Sequence, residues 1–552
     1  MHQYHKIGLL AAMALTATVT VFGQRAGADG ANLIKADSYC RYVKELASDD
    51  LKGRMPFTDG ETRTIAYLEK QFKDLDLLPG NKGSYVQQVP MVAITCDPQE
   101  RMTINAPDNS FSLDGFKDYV LWTRRTDANI DVQNEELVFA GFGITAPEFK
   151  HDDYAGLDVK DKIVVVLVND PGFYDPKQFK GKTMTYYGRW TYKYDEAARH
   201  GAKGCLIIHD TAPAAYGFGV VQNSWKTTKL YLDSRGKESY KCAFEGWLSM
   251  PGAEKLLQAT GTNYQTLLKA ALRPGFKPIP MGLRASTGLK VTPVYKTSKN
   301  VAAMIRGAWR PEECVIYSAH WDHFGISKPN AKGDSIYNGA VDNASGTAAL
   351  LELAKAFKES KSRPARSILF LAVTAEEQGL WGSAYYAEKP IFAKEKTVAD
   401  INMDMLYPYG KTKDIGLVGY GQSELEDLLQ DEAESQGRYV APEADPSKGM
   451  YFRSDHFNFA KIGIPALYIE SGIDLVGKGK ESGRKLHEEF NSKRYHTPDD
   501  QYDAATWDVS GTVQDLQLLY KVGYRLSSTT NLWPQWKPRS EFRAVREKYM
   551  KP

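Results

Sequence analysis

The chain is poor in cysteine and has no block of like charge. Its five cysteines form no C-x-x-C pair, which excludes a cysteine zinc cage and a disulfide scaffold. Cys205 and Cys314 lie in strand-like runs and are expected to be buried. The sequence leaves open whether two of Cys40, Cys96 and Cys242 form a disulfide. Its 70 basic and 68 acidic residues give a net charge of +2. This balance favours neither nucleic acid nor an anionic membrane as a partner, and it leaves the oligomeric state open.

The sequence also lacks a long apolar run beyond its first residues. The start, "MHQYHK" followed by the apolar run Ile7–Gly23, has the layout of a secretory signal with a cut near Gly23 or Ala28. A membrane anchor is the alternative, but the run falls short of the roughly 20 apolar residues that span a bilayer and is interrupted by threonines. We therefore expect a soluble, exported protein that is periplasmic or secreted.

Three kinds of sequence pattern follow one another along the chain. Residues 31–75 have helical spacing of apolar residues, residues 136–225 alternate short β-rich pieces with one helix, and after residue 300 strands and helices alternate. This order predicts an α/β fold, with a mixed, mainly parallel sheet flanked by helices and a small β-rich domain inserted into it. The predicted segments are 1–23 (signal peptide), 31–125 (first part of the main domain), 126–285 (inserted domain), 286–530 (main domain) and 531–552 (C-terminal tail).

Polar side chains follow the predicted strands at the ends where open α/β sheets place their sites. They are His320, Asp342, Glu376, Glu377, Asp404 and His496. Taken singly, Asp342 could cap a helix, Asp404 could be a buried hydrogen-bonded carboxylate and His496 could face solvent. The adjacent glutamates are different, because burying both without a cation is costly. Two imidazoles and four carboxylates form a ligand set suited to two metal ions.

The ordered motifs "SAHWD", "VDNASG", "AEEQGLWGS", "NMDM" and "YHTPDD" resemble those of the M28 family of zinc peptidases. The segment "LASDDLKGR" is also similar to that family, and residues from about 130 to 280 resemble the protease-associated domain that many members carry. The resemblance implies a zinc-exopeptidase fold of the phosphorylase/hydrolase-like type and two Zn²⁺ ions per chain.

The same resemblance implies a role for each motif residue. His320 binds one zinc, Asp342 bridges both and Glu377 binds the other, while Asp404 and His496 complete the two shells. Glu376 is the implied general base, standing off the metal within reach of an activated water.

Further residues receive supporting roles. Asp322 matches an aspartate that orients the ligand histidine, and Tyr495 matches a tyrosine that donates to the oxyanion in some members. The segment "RSDHFNFAKIGIPAL" resembles a loop that shapes the pocket wall. Its first residues are therefore predicted to contact substrate: Arg453, Ser454, Asp455 and His456. His323 has no assigned role.

The sequence thus predicts an exported two-zinc metallo-exopeptidase, with an aminopeptidase acting on short peptides as the leading hypothesis. A carboxypeptidase or dipeptidase of the same family is the alternative, and Arg453 is the one candidate for binding a substrate carboxylate. A single-zinc protein resembling glutaminyl cyclases and a non-catalytic receptor-like protein are less favoured, because all five ligands and Glu376 are present. Side-chain preference and the role of the inserted domain stay open.

Overall fold

A computed structural model describes residues 27–237 and 240–550 of the chain. The predicted signal peptide, residues 1–23, lies outside the described residues. Within the described ranges, no helix combines the length and the apolar character that crossing a membrane requires.

The chain forms two compact units, which are described separately. The first unit contains the described residues up to Val89, then Ser298–Glu443, then the described residues from Ser454 onward. The second contains Pro90–Thr297 and Ala444–Arg453. Every predicted metal ligand therefore belongs to the first unit.

The strands and helices are numbered in chain order. The strands are β1 Leu78–Pro79, β2 Val86–Pro98, β3 Arg101–Asn105, β4 Ser110–Asp114, β5 Tyr119–Trp122, β6 Asn129–Phe139, β7 Thr145–Ala146, β8 His151–Asp152, β9 Ile163–Leu167, β10 Gly204–Ile208, β11 Lys229–Leu232, β12 Phe244–Leu248, β13 Ile279–Ile305, β14 Arg310–His320, β15 Gly325–Ile326, β16 Ile336–Tyr337, β17 Arg366–Val373, β18 Thr397–Asn402, β19 Asp414–Leu417, β20 Tyr439–Pro442 and β21 Ala466–Ser471. The helices are α1 Ala36–Leu46, α2 Asp59–Asp74, α3 Pro171–Tyr174, α4 Trp190–Arg199, α5 Thr211–Ala214, α6 Phe218–Ser224, α7 Met250–Ala259, α8 Tyr264–Ala271, α9 Ser345–Glu359, α10 Trp381–Glu388, α11 Leu425–Ser435, α12 His456–Lys461, α13 Gly479–Lys493, α14 Ser510–Ser528 and α15 Arg543–Met550.

The first unit is built on a mixed, mainly parallel sheet. Its strand order is β1–β13–β17–β14–β18–β21–β19–β20. The central strands β17, β14, β18 and β21 run parallel, whereas β13 and β19 are antiparallel to their neighbours β17 and β21. Strand β17 is buried along its whole length, as a parallel strand covered on both faces should be. The predicted fold class is confirmed.

Helices cover both faces of this sheet. Successive residues of β17 point to opposite faces, so Ile368 and Phe370 pack in one apolar cluster with Leu353 of α9. Leu369 and Leu371 pack in another cluster, which includes Tyr386 of α10 and Phe459 of α12. The two clusters hold the sheet rigid, and its strand ends can therefore position a site.

The second unit starts earlier than the sequence predicts. Its central sheet has the order β6–β9–β10–β12–β5, in which β9, β10 and β12 are parallel. Strand β5 pairs with β12, and β3 pairs with β13. The boundary predicted at residue 126 is therefore moved to residue 90, because the strands before it pair within this unit. The likeness to a protease-associated domain remains a prediction.

The cysteines and the C-terminal tail can be compared with expectation. Cys205 and Cys314 are buried as predicted, and all five cysteines, each within the described ranges, are free thiols. The predicted C-terminal tail, residues 531–552, contributes a buried aromatic side chain. Trp536 is buried, and its Nε1 donates to the carbonyl oxygen of Gly463 at 2.9 Å.

Candidate metal centre

The predicted ligands gather at the carboxyl ends of the parallel strands. His320 is the last residue of β14, and Asp404 lies two residues beyond β18. Glu376 and Glu377 follow β17 closely, while Asp342 directly precedes the turn into α9. Parallel strands place these ends at one edge of the sheet, which is why residues far apart in sequence meet there.

The first cluster surrounds the imidazole of His320. Its Nε2 lies 3.4 Å from Asp342 Oδ1 and 3.3 Å from Asp404 Oδ1. Glu376 Oε2 is farther from this nitrogen, at 4.0 Å. His320, Asp342 and Asp404 are all buried, and their ligand atoms lie close enough together to hold one metal ion.

The second cluster surrounds His496, which follows α13. Its Nε2 lies 3.1 Å from Asp342 Oδ2 and 3.2 Å from Glu377 Oε2. Asp342 therefore turns one carboxylate oxygen to His320 and the other to His496. A carboxylate shared in this way is the arrangement that bridges two metal ions.

The separations within both clusters suit zinc. Two ligand atoms about 2.0–2.1 Å from a tetrahedral zinc lie about 3.3–3.4 Å apart. The four separations from the two histidines to Asp342, Asp404 and Glu377 are 3.4, 3.3, 3.1 and 3.2 Å. The residues present therefore fit zinc. Glu376 Oε2 is the most distant of the three carboxylate oxygens that face His320 Nε2, although Glu376 also lies close enough to His320 and Glu377 to share an ion with them.

The electrostatics of the site also call for a cation. Burial, reinforced by Glu377 and Asp404, raises the pKa of Glu376 well above its usual value. Although burial acts to raise it, the pKa of Asp342 lies well below its usual value because the imidazoles of His320 and His496 lie beside its carboxylate. Carboxylates crowded in this way repel one another, and a divalent metal removes the repulsion.

Asp322 contacts both His320 and Glu376. His320 Nδ1 lies nearer to the backbone oxygen of Asp322, at 3.1 Å, than to its carboxylate Oδ1, at 3.8 Å. That Oδ1 instead accepts the backbone N–H of Glu376 at 3.0 Å. Burial raises the pKa of Asp322 to about 7. The residue orients His320 through its main chain and Glu376 through its side chain.

Most of the residues predicted to contact substrate are buried. Ser454 donates its hydroxyl to Asp404 Oδ2 at 2.7 Å and accepts from Asn402 Nδ2 at 2.7 Å. Asp455 accepts a short hydrogen bond from Ser383 Oγ. Ser454, Asp455 and His456 are at most 2% exposed. We therefore correct the prediction that these three contact substrate: all three are buried, and Ser454 supports the Asp404 carboxylate from inside the protein.

Arg453 and Tyr495 lie apart from that buried group. Arg453 belongs to the second unit and donates to the carbonyl oxygen of Lys448 at 3.0 Å, with its side chain exposed. The ring of Tyr495 stacks on His496 with centroids 3.7 Å apart, and Phe324 meets the same imidazole at 4.5 Å. The two aromatic rings limit how His496 can turn, and donation by Tyr495 to an oxyanion stays a prediction.

Two supporting residues were missed by sequence reasoning. Arg54 is buried and donates to the carbonyl oxygens of Leu46, Trp321, Asn338 and Gly339 at 2.5–3.0 Å. Burial lowers its pKa to about 10. It lies in the "LASDDLKGR" segment, whose family likeness was the available signal.

The second missed residue is Asp500, which holds the backbone of the bridging ligand. Its carboxylate accepts the N–H of Val341 at 3.0 Å and that of Asp342 at 3.0 Å. Burial raises its pKa to about 6. The motif "YHTPDD" contains it, but the pattern gives no sign of which aspartate turns inward.

Comparison with known proteins finds a family profile that matches the part of the chain containing these residues. Residues 300–520 match the profile of Peptidase family M28. "Aminopeptidase NAALADL1" of Mus musculus is 36% identical over 164 residues, which are 27% of this chain and 20% of that protein. "Glutamate carboxypeptidase 2 homolog" of Caenorhabditis elegans is 25% identical over 317 residues, 49% of this chain and 37% of that protein. The chain thus spans about a fifth of the length of the mouse relative and about a third of the length of the nematode relative.

A solved structure also resembles the chain over most of its length. It is an aminopeptidase from Aneurinibacillus sp. strain AM-1, 19% identical, and the alignment covers 90% of this chain and 95% of that one, with a TM-score of 0.47.

Proposed function

Residues 300–520 belong to peptidase family M28, and on that premise we propose that the protein is an exported metallo-exopeptidase that holds two zinc ions and releases N-terminal residues from peptides. The observation that carries the proposal is the division of the Asp342 carboxylate between two histidines, at 3.4 and 3.1 Å. Each histidine also faces a further carboxylate, Asp404 for His320 and Glu377 for His496. Two complete half-sites joined by one bridge are more than a single-metal enzyme requires.

The residues of the chain would divide the work of peptide hydrolysis. Zinc held by the five ligands would supply Lewis acidity for the scissile carbonyl and for the attacking water. Glu376 is not one of the five proposed ligands, so its carboxylate would take the proton of that water and deliver it to the leaving amine. The hydrogen bond from its N–H to Asp322 fixes the backbone from which it reaches.

The aminopeptidase assignment is supported by the name of a relative. The mouse relative is named an aminopeptidase. The nematode relative is named a glutamate carboxypeptidase 2 homolog, and this makes carboxypeptidase the alternative to test.

The proposal is tested by zinc content per chain together with hydrolysis of matched peptides, free or acetylated at the amino terminus. We expect two zinc ions per chain and cleavage of the free peptides alone. Cleavage of acetylated peptides from their carboxyl end would replace the aminopeptidase assignment with a carboxypeptidase. A chain that binds no zinc and cleaves neither set would overturn the proposal.

The role of Glu376 is tested by Glu376→Gln. General acid–base catalysis contributes about 10²- to 10⁴-fold, so kcat should fall at least about 100-fold while both zinc ions stay bound. Glu481→Gln is the matched control, since Glu481 is an exposed side chain paired with Arg484. Near-normal turnover by Glu376→Gln would show that another group moves the proton.

Export is tested separately, because its evidence lies in residues 1–23 alone. We expect the mature protein from a native host to begin after Gly23 or Ala28, as read by mass spectrometry of its N-terminal peptide. An intact Met1 on the folded protein would remove export from the proposal.

A further inference from the structure

His323 lies beside the second cluster, and its ligand nitrogens are close enough to Asp342 and Glu377 for the three residues to hold a metal ion. Its Nδ1 is 2.6 Å from Glu377 Oε1, and the side chain is fully buried. The ring packs against the backbone of Gly339, where an added Cβ would lie 2.5 Å from His323 Cδ2. The imidazole is therefore fixed in position by packing as well as by its hydrogen bond.

The 2.6 Å separation distinguishes His323 from the ligands. Two ligand atoms on one tetrahedral zinc lie about 3.3–3.4 Å apart, as the ligand pairs of His320 and His496 nearly do. At 2.6 Å, His323 and Glu377 are at the distance of a charge-assisted N–H···O hydrogen bond. His323 Nε2 is buried and has no hydrogen-bond partner among the residues that the structure covers. A hydrogen bond to the Glu377 carboxylate requires Nδ1 to carry a proton.

The two carboxylate oxygens of Glu377 face different histidines. Oε1 is taken by His323, and Oε2 faces His496 at 3.2 Å. A free glutamate side chain has many rotamers, and fixing one of them costs side-chain entropy. A partner that fixes the carboxylate before metal arrives removes most of that cost from binding.

We propose that His323 is a positioning residue that orients Glu377 to bind the second zinc through Oε2 alone. The inference rests on the proposed function in one respect, the presence of the second zinc. It adds that the affinity of this zinc depends on a hydrogen-bond donor at the place of His323 Nδ1. The first zinc, at His320 and Asp404, does not depend on it.

The test compares two amides that differ in reach. In His323→Asn the side-chain NH₂ can occupy the place of Nδ1, whereas in His323→Gln it extends past that place towards Nε2. Zinc is removed and returned in the presence of a competing chelator, and both affinities are measured for each variant and the wild type, with circular dichroism to check folding.

We expect His323→Asn to keep the second affinity within about 3-fold of wild type, and His323→Gln to weaken it about 10- to 100-fold, the usual effect of losing such a partner. The first affinity should stay unchanged in both. Equal second-site affinities in the two variants would overturn the proposal.

A measurement on the wild type covers the case in which a variant does not fold. Zinc X-ray absorption of the two-zinc protein should show one imidazole per zinc on average, from His320 and His496. A count of three imidazoles per two zinc ions would make His323 a ligand and overturn the positioning role. Neither measurement uses peptide hydrolysis, so a protein that binds two zinc ions but cleaves no peptide would refute the proposed function and leave this inference standing.

Discussion

Ser454→Ala tests whether the hydroxyl beside Asp404 serves the metal centre or the substrate. The Ser454 hydroxyl is buried and donates to Asp404 Oδ2 at 2.7 Å. Since Asp404 Oδ1 is the oxygen that faces His320, the serine holds the carboxylate from its far side. We therefore expect its loss to weaken the zinc held by His320 and Asp404.

The magnitude follows from the type of hydrogen bond that is lost. A hydrogen bond to a charged group contributes about 1.5–3 kcal/mol, and about 1.4 kcal/mol corresponds to a tenfold change in binding. The affinity of the first zinc should therefore fall about 10- to 100-fold. A fraction of the loss should appear as lower stability, because Asn402 Nδ2 also loses its acceptor.

The assay is zinc competition against a chelator at pH 7.5, with KM and kcat measured at saturating zinc. Ser383→Ala is the matched control: it removes a buried hydroxyl that donates to Asp455, which is not a proposed ligand. It should leave zinc affinity unchanged. If Ser454→Ala instead keeps its zinc affinity and raises KM alone, the hydroxyl contacts substrate and the reasoning from its burial is wrong.

Two further predictions concern stability. Arg54→Met should lower the free energy of unfolding of the first unit by about 3–5 kcal/mol, because it leaves buried carbonyls without their charged donor. Protection from proteolysis measures this free energy. The control is Arg63→Met, since Arg63 is an exposed side chain paired with Asp59, and this change should alter the free energy of unfolding by less than about 0.5 kcal/mol. Burial lowers the pKa of His487 to about 4, against about 6.5 in an unfolded chain. The unfolded state therefore binds more protons between these values, and stability should fall as pH drops from about 6.5 to about 4. His487→Phe should remove part of that dependence in urea titrations at pH 7 and pH 5, and an unchanged dependence would show that other groups cause it.

The ligand set could be predicted from sequence because its residues stand where regular patterns end. His320 and Asp404 close apolar runs that are typical of buried strands, and the two adjacent glutamates would be costly to bury without a cation. No comparable sequence pattern identifies the residues that support the ligands. Arg54 and Asp500 bind backbone atoms of distant segments, and main-chain partners leave no trace in a pattern of side chains.

The boundary of the second unit was missed for a related reason. Strands β3 and β5 pair with β13 and β12, more than a hundred residues further along the chain. Local periodicity identifies a strand but not its partner. The segment Ser454–His456 shows the opposite error, since a polar loop near a site reads as solvent-facing until packing shows it buried.

The contacts of the N-terminal segment have a consequence for the order in which the protein forms. Arg54 bonds to Trp321, and Glu352 accepts from both Lys35 N and Ser38 Oγ. In the sequence, these partners are separated by Pro90–Thr297, the larger segment of the second unit. At the usual synthesis rate of about 5–20 residues per second, translating it takes roughly 10 to 40 s. Throughout that interval the apolar faces of α1 and α2 lack their native partners in the first unit, so these two helices can complete their packing only after the sheet of that unit has been synthesised.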